Sequence, residues 1–160
     1  RRVLFRSQFA HLRGHLGGVP PKVDLAQETR LAGLLSNASR THMLDAAHDL
    51  SEGGLAGALA DMVLQAGVGV RINLEYVTER DNIDAFTALF SESQARAIVA
   101  VPLSEEVRFR GIAESRRYPA LRIGVVDADS EALEIQDLFS ASIAELREGW
   151  ASALPKRFDN

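Results

Sequence analysis

A layered α/β or α+β domain built around one sheet is the fold that this sequence predicts. Three observations carry the prediction. Apolar runs of strand length alternate along the chain with apolar residues at helical spacing, the pattern of helices packed around a sheet. Hydrophobic residues make up 46% and charged residues 25%, a globular composition that excludes disordered and collagen-like chains. At 160 residues the chain is long enough for one compact core and too short for two comfortable ones.

The elements follow in order. Residues 7–23, with the glycine- and proline-rich run from His15 to Pro21, are expected to be an extended lead-in segment. The domain body spans 24–152. Asp24 caps a helix with Leu25, Leu31, Leu34 and Leu35 on its apolar side, and Asn37 to Thr41 is a polar connector. Met43 to Ala47 is short and apolar enough for a buried strand. After a turn at Ser51 to Gly54, a helix carries Leu55, Leu59, Met62, Val63 and Ala66 and stops at Gly67. Val68, Val70, Ile72 and Leu74 alternate with Gly69, Arg71, Asn73 and Glu75, a strand with one wet face.

Asp84 to Phe90 makes two short helical turns. Ala95 to Val101 suits a central strand buried on both faces, ended by Pro102. Ser104 is placed to cap a helix running to about Arg117, with Glu105 and Glu106 near its positive end. Leu121 to Val126 is a strand, and Leu133 to Phe139 an edge strand. Ile143, Leu146 and Trp150 lie at helical spacing in a final helix, and 153–160 is a tail.

Composition narrows the function. With no cysteine, disulfide frameworks, thiolate nucleophiles and cysteine-ligated metal sites are excluded. No apolar run approaches the roughly 20 residues of a membrane span, and a signal peptide is not expected. Net charge is −4, yet Arg1, Arg2, Arg6, Arg13 and Lys22 stand before the first acidic residue. A basic arm can touch phosphates, but the acidic body repels a polyanion. Residues 1–6 are expected to be an extraneous or disordered arm, and neither nucleic acid nor a membrane is an expected partner. The chain opens on Arg1 and is expected to be a piece of something longer.

Two stretches carry candidate chemistry. His48-Asp49-Leu50-Ser51-Glu52-Gly53-Gly54-Leu55 leaves a strand and enters a helix through two glycines. Ser51 is placed as an N-cap, and bare amides at a helix start suit an anion such as phosphate. Asp49 could orient His48 or face a metal ion, and the same spacing also suits a tight turn with glycines chosen for packing. A side chain at Gly54 is expected to impair ligand binding more than stability. In the second stretch, Glu92, Ser93 and Gln94 offer a carboxylate, a hydroxyl and an amide at a strand entrance, able to read a polar ligand or simply to be solvated. Arg96 could meet a phosphate or pair with Glu92. His11 with His15 and His42 with His48 lack a third ligand. No catalytic or metal-binding residue is assigned.

AAHDLSEGGLAGALADM (Ala46 to Met62) followed by LFSESQARAIVAVP (Leu89 to Pro102) resembles the C-terminal domain of the aminoimidazole-ribonucleotide-synthetase-related ATP-dependent enzymes. Within that superfamily it looks most like the phosphoribosylformylglycinamidine synthase large-subunit family. GHLGGVPPKVDL (Gly14 to Leu25) and RIGVV (Arg122 to Val126) fit the last domain of that family, so the resemblance covers roughly residues 7 to 152.

The resemblance implies an α+β fold of three layers, a mixed central β-sheet flanked by helices, and a domain of an ATP-dependent carbon–nitrogen ligase of purine biosynthesis. The reaction is conversion of formylglycinamide ribonucleotide, ATP and glutamine-derived ammonia into formylglycinamidine ribonucleotide, ADP and phosphate. It implies ATP and Mg2+ held mainly by domains outside this chain, and a cytoplasmic location. The implied partners are the remaining domains of the same chain, a glutaminase subunit and a small accessory subunit. Glu92, Ser93 and Gln94 match the family's substrate-contacting triplet. His48, Asp49, Ser51, Gly53 and Gly54 match its HDxSxGG turn, with a phosphate-facing or supporting role. The alternatives are a domain of a thiamine-phosphate kinase or selenophosphate synthetase type of enzyme, or a non-catalytic assembly domain. The isolated chain is expected to be inactive.

Overall fold

The computed structural model describes residues 7–14, 17 and 22–153. The arm 1–6, most of His15 to Pro21 and the tail from Leu154 lie outside the described residues. The lead-in is not wholly extended: Ser7 caps a short helix, α1 (Gln8–Leu12), by accepting from the Ala10 amide. Asp24 caps α2 (Leu25–Arg40) as expected, its carboxylate accepting from the amides of Ala26 and Gln27 at 3.0 and 3.1 Å. The Gln27 amide foremost holds the Asp24 carboxyl below its ordinary range. The helix runs through the expected connector at Asn37, because Ala38 turns fully inward while Ser36, Ser39 and Arg40 remain exposed.

Met43 is fully buried but is not in a strand; β1 (Ala46–Asp49) starts three residues later and is largely exposed. Then come α3 (Gly54–Ala66), stopped by Gly67 at φ 68°, and β2 (Gly69–Ile72). The helix α4 (Glu75–Asp81) has no counterpart in the sequence reading, and only its Val77 is buried. Asp84 caps α5 (Ala85–Phe90), and β3 (Ala97–Ala100) follows. A 3-10 turn at Leu103–Glu105 takes up Ser104, so α6 (Glu106–Ser115) starts two residues later with no side-chain cap. The chain closes through β4 (Gly124–Asp127), β5 (Ala132–Ile135), β6 (Phe139–Ser142) and α7 (Ile143–Ser152). A capping box starts α7: the Ser142 hydroxyl accepts from the Glu145 amide, and the Glu145 carboxylate accepts from the Ser142 amide at 2.8 Å.

The α+β class stands, with a four-stranded mixed sheet in the order β4-β2-β5-β6 and helices flanking it. β2 runs parallel to β5, with Val70 opposite Leu133, and antiparallel to β4. β5 and β6 form an antiparallel pair. The expected edge strand from Leu133 to Phe139 is therefore two strands, and the first of them is central. The expected central strand β3 pairs among the described residues only with β1, in a separate antiparallel ladder running from Ala46 opposite Ala100 to Asp49 opposite Ala97. Its residues are half-buried, not covered on both faces.

One apolar cluster joins Leu55, Leu59 and Val63 of α3 to Ile72, Leu133, Ile135 and Ile143. A second joins Leu34 and Ala38 of α2 to Met43, Phe109 and Ala113. The first holds α3 on the mixed sheet, which positions the turn that precedes α3. No helix among the described residues is long and apolar enough to cross a membrane.

Candidate functional site

The turn between β1 and α3 begins with His48, whose Nδ1 lies 2.7 Å from the Asp49 carbonyl and whose Nε2 lies 3.6 Å from the Asp61 carboxylate on α3. Ser51 does not cap the helix. Its carbonyl accepts from the Gly54 amide at 3.2 Å, and its hydroxyl bonds the Asp49 carboxylate. That hydroxyl, more than any other contact, holds the Asp49 carboxyl below its ordinary value. Partial burial opposes it, and the Asp49 amide and the neighbouring His48 add to it.

Gly53 occupies the N-cap of α3 at φ 74°, in the left-handed region that glycine enters without penalty. Gly54 follows at φ 62° and is buried, and a Cβ there would lie 2.7 Å from both the Leu89 and Ser91 carbonyl oxygens. Close approach of the α5–β3 connector, not open space for a ligand, accounts for that glycine.

The connector brings the triplet to the turn. The Glu92 Oε1 accepts from the Gly53 amide at 2.9 Å and from the Gln8 amide of α1 at 2.6 Å. The anion that meets the Gly53 amide is thus the protein's own carboxylate. Arg96 does not pair with Glu92. Its guanidinium donates to the Ser91 and Ser93 carbonyls and the Ser91 hydroxyl, folding the connector back on itself. The Ala95 amide donates to Glu28 of α2 at 2.8 Å, and the Tyr118 hydroxyl donates to the Ala95 carbonyl. These clamps hold Ala95 at φ 54°, a left-handed conformation that costs a non-glycine residue about 1–2 kcal/mol. Backbone strain of this kind persists only where the surroundings over-determine it, and it gathers at ligand clamps.

A hollow of about 1820 Å3 opens beside the connector, lined by both sheets and largely apolar. His48, Ser93 and Gln94 line it; Asp49, Ser51, Glu92, Gly53 and Gly54 do not. The Ser93 Oγ is buried and has no hydrogen-bond partner among the described residues. A buried hydroxyl without a partner is costly and suits a polar group arriving in the hollow. Among the described residues no group of three or more His, Asp or Glu side chains is placed to hold a metal ion. The structure therefore brings turn and triplet together, but back to back through Glu92, and aims only part of each at the hollow. Glu28, Tyr118 and Gln8, which fix the connector, were not among the sequence candidates. They act across 84 residues or fewer of intervening chain, and no local motif marks them.

Residues 4–136 match the family described as AIR synthase related protein, C-terminal domain. This chain belongs to that family. Among its curated relatives, this AIR-synthase-related domain is 58% identical over 158 residues to the phosphoribosylformylglycinamidine synthase subunit PurL of Renibacterium salmoninarum, covering 99% of the chain and 21% of the relative. The domain spans about a fifth of the length of the curated relatives it matches. Its fold is shared with Thermotoga maritima PurL complexed with ATP, at a TM-score of 0.68 and 20% identity over 81% of this chain and 23% of that one. It is likewise shared with PurLQS of Thermotoga maritima, at a TM-score of 0.68 and 19% identity over 89% of this chain and 24% of that one.

The AIR-synthase-related domain gives its turn a pH signature. Asp49 has a depressed native value, so the stability it contributes is present above the ordinary aspartate value and is lost as pH falls through the depressed one. Ser51→Ala is expected to return the Asp49 carboxyl toward its ordinary value and to shorten that acid limb. Carboxyl titration by NMR reads it directly, and an unmoved Asp49 would show that the hydroxyl is not the cause.

Proposed function

We propose that this chain is the terminal domain of an ATP-dependent, amidine-forming ligase of purine biosynthesis, which converts formylglycinamide ribonucleotide with ATP and glutamine-derived ammonia into formylglycinamidine ribonucleotide. In this reading residues 24–152 form the domain body, led in by 7–23 and followed by the tail 153–160; the family match begins at residue 4, so the arm 1–6 is not set apart as extraneous. Ser93 and Gln94 contact the polar part of the nucleotide substrate. His48, Asp49, Ser51, Gly53 and Gly54 form the turn that supports them. The observation that carries the reading is that Ser93 lines the hollow beside Gln94 and His48 while its buried hydroxyl has no hydrogen-bond partner among the described residues.

The 58% identity to a PurL subunit supports the reaction class. The ATP complex of the Thermotoga maritima relative supports the nucleotide, and the PurLQS assembly supports partner subunits, read here as a glutaminase and a small accessory protein. The chemistry that ATP supplies is activation of the amide oxygen by phosphorylation, so that ammonia can displace it. Among the described residues no cluster of acidic or histidine side chains is placed to hold a magnesium ion, and ATP and Mg2+ are assigned to the other domains of the longer chain. The location is cytoplasmic. This domain's share is to hold the substrate in place, which is where most of the catalytic advantage of such a reaction lies.

A chimera tests the reading: this chain replaces the matching segment of the Renibacterium salmoninarum PurL subunit, and ATP- and ammonia-dependent amidine formation is measured. Activity near that of the unmodified subunit is expected, and none from the isolated chain. In the chimera, Ser93→Ala is expected to raise the KM for the ribonucleotide roughly five- to tenfold with little change in kcat, the signature of a lost binding contact. A folded but inactive chimera, or an unchanged KM, would overturn it.

A further inference from the structure

Glu92 stands in the triplet but does not line the hollow. Its Oε1 instead takes two backbone amides from distant parts of the chain, Gln8 at 2.6 Å and Gly53 at 2.9 Å. We infer that Glu92 is a positioning residue: its carboxylate ties α1 to the turn before α3 and so fixes the backbone that carries Ser93 and Gln94. The inference rests on the reading above only for what is being positioned; the tie itself is a matter of hydrogen bonds.

The geometry of α1 makes the tie two-way. A five-residue helix is far too short to persist alone, so its order comes from what it touches. Phe9 packs on Phe86 and Phe90 of α5 with ring centroids 4.9 and 4.8 Å apart, and Ser7 is fully buried. Gln8 sits at the first turn of α1, where the amide has no partner within the helix, and the Glu92 carboxylate supplies one. On the other side the same oxygen holds the N-cap amide of α3. Loosening α1 therefore removes part of what orients Glu92, and loosening Glu92 frees both helix starts.

Amide hydrogen exchange on the 160-residue chain tests this, read at Gln8 and Gly53 with the amides of β5 as internal control. Glu92→Ala is expected to lower protection at both amides roughly tenfold while β5 is unchanged. Glu92→Gln keeps an acceptor oxygen of the same reach and is expected to restore most of the protection. Phe9→Ala is expected to lower protection at Gly53 several-fold, although Phe9 is 44 positions away in the sequence. Unchanged exchange at either amide in Glu92→Ala, or at Gly53 in Phe9→Ala, would overturn the inference. Should Glu92→Ala unfold the chain and strip β5 as well, Phe9→Ala decides. If the exchange results hold but Ser93→Ala leaves KM unmoved in the chimera, the reading of the hollow falls and the tie stands.

Discussion

Gly54→Val is expected to destabilise the chain by about 2–5 kcal/mol, the sum of a left-handed backbone penalty and of overpacking. The residue lies at φ 62°, where a β-branched side chain is strained whatever the space around it. The space is also taken. A Cβ would sit 2.7 Å from the Leu89 and Ser91 carbonyl oxygens and 3.0 Å from the Phe90 carbonyl carbon. All three are backbone atoms and none can rotate aside, so either α3 or the connector must move. Gly53→Ala makes the internal comparison. It has φ 74°, but its Cβ would stand 3.2 Å from the Gly57 Cα, so it carries the backbone penalty of about 1–2 kcal/mol with less crowding. Urea unfolding of the two variants measures both costs. A Gly54→Val midpoint within error of the parent would show that the connector gives way. The ranking expected from the sequence, ligand binding before stability, is reversed because the neighbour of Gly54 is the protein's own chain.

That reversal shows where the sequence was legible and where it was not. Helix starts carry local signals unevenly: Asp24 caps its helix as read, Ser51 and Ser104 do not cap theirs, and Asp84 and Ser142 are caps that the sequence reading did not assign. α4 escaped because its seven residues bury one side chain, Val77, and leave no apolar stripe to read. Partners of strands are not local. Leu133 to Phe139 alternates like a single edge strand, but the chain reverses near Asp137, a non-glycine residue at φ 61°. The parallel partner of β5 lies some 60 residues earlier, and periodicity is silent about it.

The site divides in the same way. The neighbourhood of turn and triplet was legible through two family motifs in fixed order. The direction each side chain faces was not, because Gln8, Glu28 and Tyr118 set it from distant segments.

Leu133→Ala separates a central β5 from an edge strand. Leu133 is 3% exposed, opposes Val70 on β2, and belongs to the cluster that seats α3 on the sheet. Truncating a buried leucine in such a place leaves a cavity that neighbours on both sides cannot close, and the expected cost is about 2–5 kcal/mol. Its neighbour Glu134 points to the exposed face, so Glu134→Ala is expected to stay within about 0.5 kcal/mol of the parent. An edge strand would give a smaller contrast, since a side chain there packs against one neighbouring strand and the open side relaxes. Denaturant unfolding of the pair reads the difference directly, and a Leu133→Ala cost below about 1 kcal/mol would remove β5 from the middle of the sheet. The consequence reaches the candidate site. α3 rests on Leu133 and Ile135 through Leu55 and Leu59, and the turn with Gly53 and Gly54 is the start of α3. A cavity under that helix should therefore also loosen the Gly53 amide, at a position that touches neither Glu92 nor the hollow.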